Sequence, residues 1–426
     1  MPFSTAAICD GGIRTVHRWK FWLKRVSIVA AIVFAIAGVF GIGFGAGFVQ
    51  FRNMVTTANR DIGQIVSPNG VSQAGYIRLG NARQWITIRG QDRDAPVLLF
   101  LHGGPGGALS SVAYSFQRPW EDDFVVVQWD QRGAGRSAID GAALKGTLTK
   151  EQLVSDTVEL LERLNRRFGR KVVVFAQSWG TVLGAEAVKR RPDLIAAYVA
   201  TGQVTSWDAN FDESRRLAMD EARRMHDTAR YKRLAALGSQ PGRREDIAGH
   251  QAWMNAVQSD ITESGHSWYN FRGSGDWASR FVAMFATSPD VSNRDLVDTF
   301  LGRGALPFNG SEQIIGSLGN WTLKESVGTT LKVPVVMIMG HHDWQTPITL
   351  ARAYFDTLCA PAKLWVDMPR SAHAMLSEEP GRLSRTLADT VLPLTRGQFP
   401  AGTERCPSGA NGGPVRADDL RRPTVP

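Results

Sequence analysis

The sequence predicts an α/β fold: a mostly parallel sheet with helices on both faces. Three observations carry this. Apolar runs at 96–101, 124–129 and 171–175 each lead into a glycine-bearing turn, and helical patterns alternate with them. Strands that are apolar at every position, rather than at every second one, belong to sheets covered on both faces. Ser178 lies in the third of these turns, between that strand and a helix-like run starting at Thr181. Two later strand-like runs, 333–339 and 363–366, lead into turns holding an acid and a histidine, in that order.

From the N-terminus, residues 1–25 carry Arg14, Arg18, Lys20, Lys24 and Arg25 against Asp10. Residues 26–51 are apolar and nearly uncharged. That run exceeds the roughly 20 residues needed to cross a bilayer and the roughly 7–15 of a removable signal, so an uncleaved N-terminal transmembrane helix is expected. Ala35-Ile36-Ala37 could instead serve as a cleavage site and leave a secreted or periplasmic domain. Lys20, Lys24 and Arg25 crowd the near side of the span, whereas only Arg52 and Arg60 follow it. Positive-inside bias then keeps the N-terminus in the cytoplasm and sends the large domain across the membrane. Residues 52–74 read as a polar linker.

The first core segment, 75–203, opens with Ile77, Leu79, Ile86 and Ile88 alternating with polar residues around Gly80-Asn81. This is the pattern of an antiparallel edge hairpin. Strands are expected near 96–101, 124–129, 171–176 and 194–200. Thr149-Lys150-Glu151-Gln152 fits a capping box, and Leu153, Val158, Leu160, Leu161 and Leu164 mark the face of that helix turned to the sheet. From 204 to 331 strand-like runs vanish, and Trp207, Trp253, Trp268, Trp277 and Trp321 are scattered among charged residues. A helical cap insertion is expected there. Strands return in a second core segment, 332–395. The tail, 396–426, is rich in Gly, Pro and Arg and is expected to be disordered.

The formal charge is +9, but the basic surplus sits largely in residues 1–25 and the arginine-rich tail. The body is only weakly basic, which gives nucleic acid no support as a partner, and none is expected. Of three cysteines, Cys9 falls on the cytoplasmic side, whereas Cys359 and Cys406 share the oxidising side. A disulfide between these two, tying the tail to the domain, is the reading, with two unpaired thiols as the alternative.

A serine hydroxyl is a weak nucleophile until a base takes its proton, and the base needs an acid to fix its tautomer. In strand–helix topology both partners should lie on turns after later strands, in the order serine, acid, histidine. Asp343 and His373 meet that requirement. The N–H of Trp179, at the helix start, and an N–H from the glycine turn His102-Gly103-Gly104-Pro105-Gly106 are positioned to face a substrate oxygen. His341 and His342 precede the acid, His102 and Asp130 suit loop bracing, and Asp367 is the alternative acid. No metal-ligand spacing appears, and a triad needs no cofactor.

With these residues in view, the chain resembles α/β-hydrolases of the proline iminopeptidase-like group, the prolyl aminopeptidase branch of serine peptidases. The resemblance covers about residues 75–395. It rests on His102-Gly103-Gly104-Pro105-Gly106, Asp130-Gln131-Arg132-Gly133-Ala134-Gly135-Arg136-Ser137, Gln177-Ser178-Trp179-Gly180, His342-Asp343-Trp344-Gln345-Thr346-Pro347 and Ser371-Ala372-His373. It implies that Ser178 attacks a carbonyl, His373 shuttles the proton and Asp343 orients it. The oxyanion would rest on Trp179 and on Gly103 or Gly104. Peptidases of the group grip the free amino end of the substrate with acidic cap residues, for which Asp212 and Glu213 are the candidates here. Ala176 in place of glycine, and the span, depart from the group's pattern. The expected activity is release of an N-terminal residue, proline or another, from short peptides. An esterase or amidase acting on small acyl substrates, and a non-catalytic binding protein on the same frame, are the alternatives.

Overall fold

Every residue of β3 (Val97–Leu101), β4 (Val125–Trp129), β5 (Val172–Gln177) and β7 (Val335–Gly340) is buried. Alternate side chains serve opposite faces. Val97, Leu99, Leu101, Val125, Val127, Val172 and Val174 join one apolar cluster, whereas Leu98, Phe100, Val126, Val173 and Phe175 join another. The continuous apolar runs thus have a cause: both faces are covered.

The computed structural model describes residues 47–139, 141–242, 245–267, 277–301 and 310–406. With β1 (Val71–Leu79), β2 (Ala82–Gly90), β6 (Ile195–Thr201) and β8 (Lys363–Met368), the strands form one sheet in the order β1-β2-β4-β3-β5-β6-β7-β8. β1 and β2 pair antiparallel as the expected edge hairpin, β2 pairs antiparallel with β4, and all other pairs are parallel. The hairpin begins earlier than its alternation indicated, at Val71 rather than Ile77. Gln73, Ala74 and Gly75 carry little apolar signal, and backbone pairing to β2 holds them in register.

Helix Lys150–Phe168 covers one face with Leu153, Val154, Leu160, Leu161 and Leu164, and Gly169 ends it at φ 65°. Only half of the expected capping box forms. The Gln152 N–H donates to Thr149 Oγ1, but the Gln152 side chain turns to Asp156 instead. Asp156 is in demand because it pairs with the fully buried Arg132 at 2.7 and 2.9 Å. Arg132 also donates to Asn81 and to the Leu79 carbonyl, clamping the hairpin to the sheet.

Between β6 and β7 the described residues contain helices and no strand, beginning with Trp207–Arg224, Thr228–Ala236 and Ile247–Glu263. Small clusters around Phe211, Trp253, Met254 and Val257, and around Ala218, Leu234 and Ile261, hold them together.

Three expectations need revision or fall elsewhere. Residues 47–62 are helical, so the polar linker expected from residue 52 starts as a helix. Among the described residues, 47–61 belong to one unit and 62–406 to another. Most of the expected span, 26–46, lies outside the described residues. Among the described residues no helix is long and apolar enough to cross a membrane. The tail is ordered as far as Cys406. Lys363 and Glu404 exchange backbone hydrogen bonds, and Cys359 and Cys406 form a disulfide with Cα atoms 5.2 Å apart. The disulfide is the one the cysteine placement raised, whereas polar composition did not reveal the Lys363–Glu404 pairing, which rests on backbone hydrogen bonds and not on apolar burial. Residues 407–426 lie outside the described set.

Candidate active site

Ser178 sits between β5 and helix Trp179–Arg190 at φ 51°, ψ −122°. Among the described residues only His226 shares a positive φ without being glycine. A side chain held there costs on the order of 1–3 kcal/mol, which the surroundings must enforce. They do so by close packing. A Cβ on Gly180 would lie 2.1 Å from the Leu101 carbonyl oxygen, so the helix start abuts β3. Ala176 is accommodated where a glycine is usual because Gly184 faces it: a Cβ on Gly184 would come within 3.1 Å of the Ala176 methyl. The Ser178 N–H donates to the Thr201 carbonyl at 2.9 Å, tying the turn to the end of β6.

The glycine turn after β3 lies directly against this serine. A Cβ on Gly103 would stand 3.1 Å from Ser178 Cβ. The turn is fixed by His102. Its Nδ1–H donates to the Gly103 carbonyl at 2.8 Å, and its Nε2 accepts the Gln131 N–H at 3.1 Å. Both bonds suit a neutral ring, and burial pushes His102 down to about 4. The His102 carbonyl accepts from Gln131 Nε2. Across a trans peptide, the Gly103 N–H therefore points away from the Gln131 side chain. Gln131 also accepts from Trp179 Nε1 at 3.2 Å, linking the two turns. Asp130 accepts the Arg136 N–H, and burial pushes its carboxyl up to about 6. His102 and Asp130 both brace loops, as expected.

Asp343 and His373 meet. His373 Nδ1 lies 2.8 Å from Asp343 Oδ2, and both side chains are buried. Asp343 Oδ1 accepts the N–H groups of Gln345 and Thr346, each at 2.9 Å, while Oδ2 also accepts the Thr346 hydroxyl at 2.7 Å. A carboxylate so engaged only accepts, so the proton between it and the imidazole belongs to Nδ1. The ring stands over Gly202, where a Cβ would come within 2.9 Å of His373 Cε1. Since Gly202 follows Thr201, the imidazole lies beside the strand end that holds the Ser178 N–H. Asp367 instead faces the exposed His341 at 3.4 Å. His342 is pushed down by burial and by the neighbouring His341 and His266.

Asp212 and Glu213 fall on helix Trp207–Arg224. Asp212 is exposed. Glu213 pairs with Arg216 at 2.7 Å and accepts the Thr349 hydroxyl, and the Arg216 guanidinium holds its carboxyl below the usual range. Sequence reasoning missed Thr346, Gly202, Gln345 and Ser267. Thr346 had a signal, since a hydroxyl three residues after an aspartate often closes a turn. Ser267 had none.

Residues 96–380 match the family described as alpha/beta hydrolase fold. The chain is 29% identical over 317 residues to the Bacillus subtilis protein named "Probable aminopeptidase YbaC", covering 73% of this chain and 94% of that one. It is 22% identical over 290 residues to the proline iminopeptidase of Neisseria gonorrhoeae, covering 65% and 84%. The crystal structure of VinJ superposes with a TM-score of 0.50 at 22% identity, over 76% of this chain and 99% of that one. The matched span takes in all three turns around Ser178, Asp343 and His373, and the chain belongs to the α/β-hydrolase family, similar to its proline iminopeptidase-like group.

Proposed function

We propose that this protein is a serine hydrolase working through an acyl-enzyme, and that it is an aminopeptidase releasing N-terminal proline or another residue from short peptides. The observation that carries the reading is the strained Ser178 turn beside a buried His373–Asp343 pair. His373 Nε2 takes the hydroxyl proton as Ser178 Oγ bonds to the substrate carbonyl carbon. The carbonyl oxygen, now negative, is held by the Trp179 N–H and by an N–H of Gly103 or Gly104. Losing one such donor costs about 10²–10³ in rate. The intermediate collapses, and the departing amine takes the proton back from Nε2. Water then gives its proton to Nε2 and attacks the ester carbon; as the acid product leaves, Nε2 returns that proton to Ser178 Oγ. Asp343 holds the Nδ1–H tautomer throughout and stabilises the imidazolium.

The peptidase names of the relatives support the aminopeptidase reading. One observation favours the esterase or amidase reading instead. The Glu213 carboxylate is already neutralised by Arg216, which leaves the exposed Asp212 as the weaker candidate for a substrate ammonium. We assign residues 204–331 as a helical cap over the site and 26–51 as a membrane anchor. The Cys359–Cys406 disulfide supports a domain in an oxidising compartment. Alkaline carbonate extraction of membranes tests the anchor; release of the full-length chain into the soluble fraction counts against it.

A fluorophosphonate probe should label the protein and fail to label Ser178→Ala. Turnover of prolyl-naphthylamide above that of p-nitrophenyl esters supports the peptidase, and the reverse order the esterase. Equal labelling of wild type and Ser178→Ala refutes the mechanism.

A further inference from the structure

The inserted helices are tied to both turns of the candidate triad. Ser267, which follows helix Ile247–Glu263, is fully buried. The Trp344 N–H donates to the His266 carbonyl at 3.0 Å, and the His373 N–H donates to the Ser267 carbonyl at 2.7 Å. Two adjacent residues of the insertion thus hold the backbone next to Asp343 and the backbone of His373 itself. Side chains repeat the link. The Ser267 hydroxyl donates to Gln345 Oε1 at 2.7 Å, and Gln258 Nε2 donates to Ser267 Oγ at 2.7 Å. The His266 ring stacks on Trp344 with centroids 3.6 Å apart, and the Ser214 hydroxyl donates to the Trp344 carbonyl. Below this layer the two turns meet directly, through the His342 N–H and the Ser371 carbonyl at 3.0 Å. The insertion forms a second bridge between them.

We propose that Ser267 and Gln345 are positioning residues for acyl transfer: a hydrogen-bonded strut from the inserted helices that sets the Asp343 and His373 turns in register. The proposal rests on the serine-hydrolase reading above. Neither residue needs to touch substrate. Their effect runs through the imidazole, whose placement relative to Ser178 Oγ governs the attack. A displacement of about 1 Å at such a site can cost about 10²-fold in rate. The shape of the insertion is thereby transmitted to the rate of chemistry as well as to substrate binding.

The test separates hydrogen bonding from packing at position 345. Gln345→Met keeps length and apolar contact but loses the acceptor, whereas Gln345→Glu keeps an acceptor for both the Ser267 hydroxyl and Gln258. Turnover of the better of the two chromogenic substrates is measured in the full-length protein. The expected result is a kcat lowered about 10–10²-fold in Gln345→Met and Ser267→Ala, with KM within about twofold and much of the kcat restored in Gln345→Glu. Because the bonds form one chain, the Ser267→Ala/Gln345→Met double variant should lose little more than the worse single variant. A purely structural role reverses the order, with Met tolerated and Glu damaging. Met at least as active as Glu, or both at wild-type kcat, overturns the proposal. Should Ser267→Ala lose its circular dichroism spectrum, the Met and Glu variants of Gln345 decide alone. A wild-type protein that does not react with the fluorophosphonate probe removes the serine mechanism and the strut with it. A wild type that reacts, beside variants of unchanged kcat, removes only the strut.

Discussion

Replacing Asp343 by asparagine probes the proton inventory of the site. The two carboxylate oxygens divide their work: Oδ1 takes the Gln345 and Thr346 N–H groups, and Oδ2 takes the Thr346 hydroxyl and His373 Nδ1–H. An amide has only one acceptor oxygen, and two backbone donors hold it at the Oδ1 position. The NH₂ group then faces Nδ1, which must become an acceptor, so the ring proton moves to Nε2. With that nitrogen protonated, the base proposed for Ser178 is lost. The fold should survive, because Asn fills the same volume and the Thr346 hydroxyl can turn to accept. The expected loss in kcat is about 10⁴-fold, equivalent to about 5.5 kcal/mol of barrier, with KM changed little. Turnover of a p-nitrophenyl ester and the rate of fluorophosphonate labelling should fall together while the urea midpoint stays close to wild type. Asp367→Asn, whose carboxylate pairs with the exposed His341, is the control and should retain wild-type turnover. More than a tenth of wild-type activity in Asp343→Asn would refute the tautomer argument.

Gly202→Ala places a methyl 2.9 Å from His373 Cε1 at a backbone φ of 58°. It should cost about 10²-fold in kcat with the circular dichroism spectrum retained; wild-type turnover would show that the ring can move without penalty. Burial pushes His102 from 6.5 down to about 4, so between those values the unfolded chain binds a proton that the folded one refuses. Stability should therefore fall as pH drops through that window, by up to about 1.4 kcal/mol per pH unit, and His102→Gln should flatten the slope in urea titrations. Asp130, raised from 3.8 to about 6, has the opposite sign between those values, because there the folded state holds the extra proton. The His102 slope should accordingly be steepest in an Asp130→Asn background. Cys406→Ser opens a loop whose ends are 47 residues apart and should cost at most about 4 kcal/mol in urea unfolding, leaving fluorophosphonate labelling of the folded protein unchanged. Loss of labelling would tie the disulfide to the site.

The parallel core was legible in the sequence because burial on both faces forces apolar residues at successive positions of β3, β4, β5 and β7. The turns were legible for a related reason. Gly180 stands where a Cβ would collide with Leu101, and Gly103 where one would press against Ser178. The pairing of Asp343 with His373 followed from topology, each lying just past the end of a parallel strand. What stayed hidden depends on contacts without residue preference. The Ser267 carbonyl would accept the His373 N–H whatever side chain residue 267 carried, and the Lys363–Glu404 pairing is likewise backbone to backbone. Glu213 was picked out through the resemblance, as an acidic cap residue, but its partner Arg216, one helical turn on, decides its charge environment.

That short pairing at residue 404 changes how the molecule ends its sheet. β8 is the outermost strand on its side, and an outermost strand offers a row of open donors and acceptors to any neighbouring chain. The returning C-terminal segment occupies the head of that row, and the sulfur bridge to Cys359 pins it there. The protein thus wears its own guard against self-association, held by a bond that reducing conditions remove. Trimming the chain before Glu404, or producing it in a reducing cell, should yield hydrolase that aggregates through a bared β8 well before its interior melts.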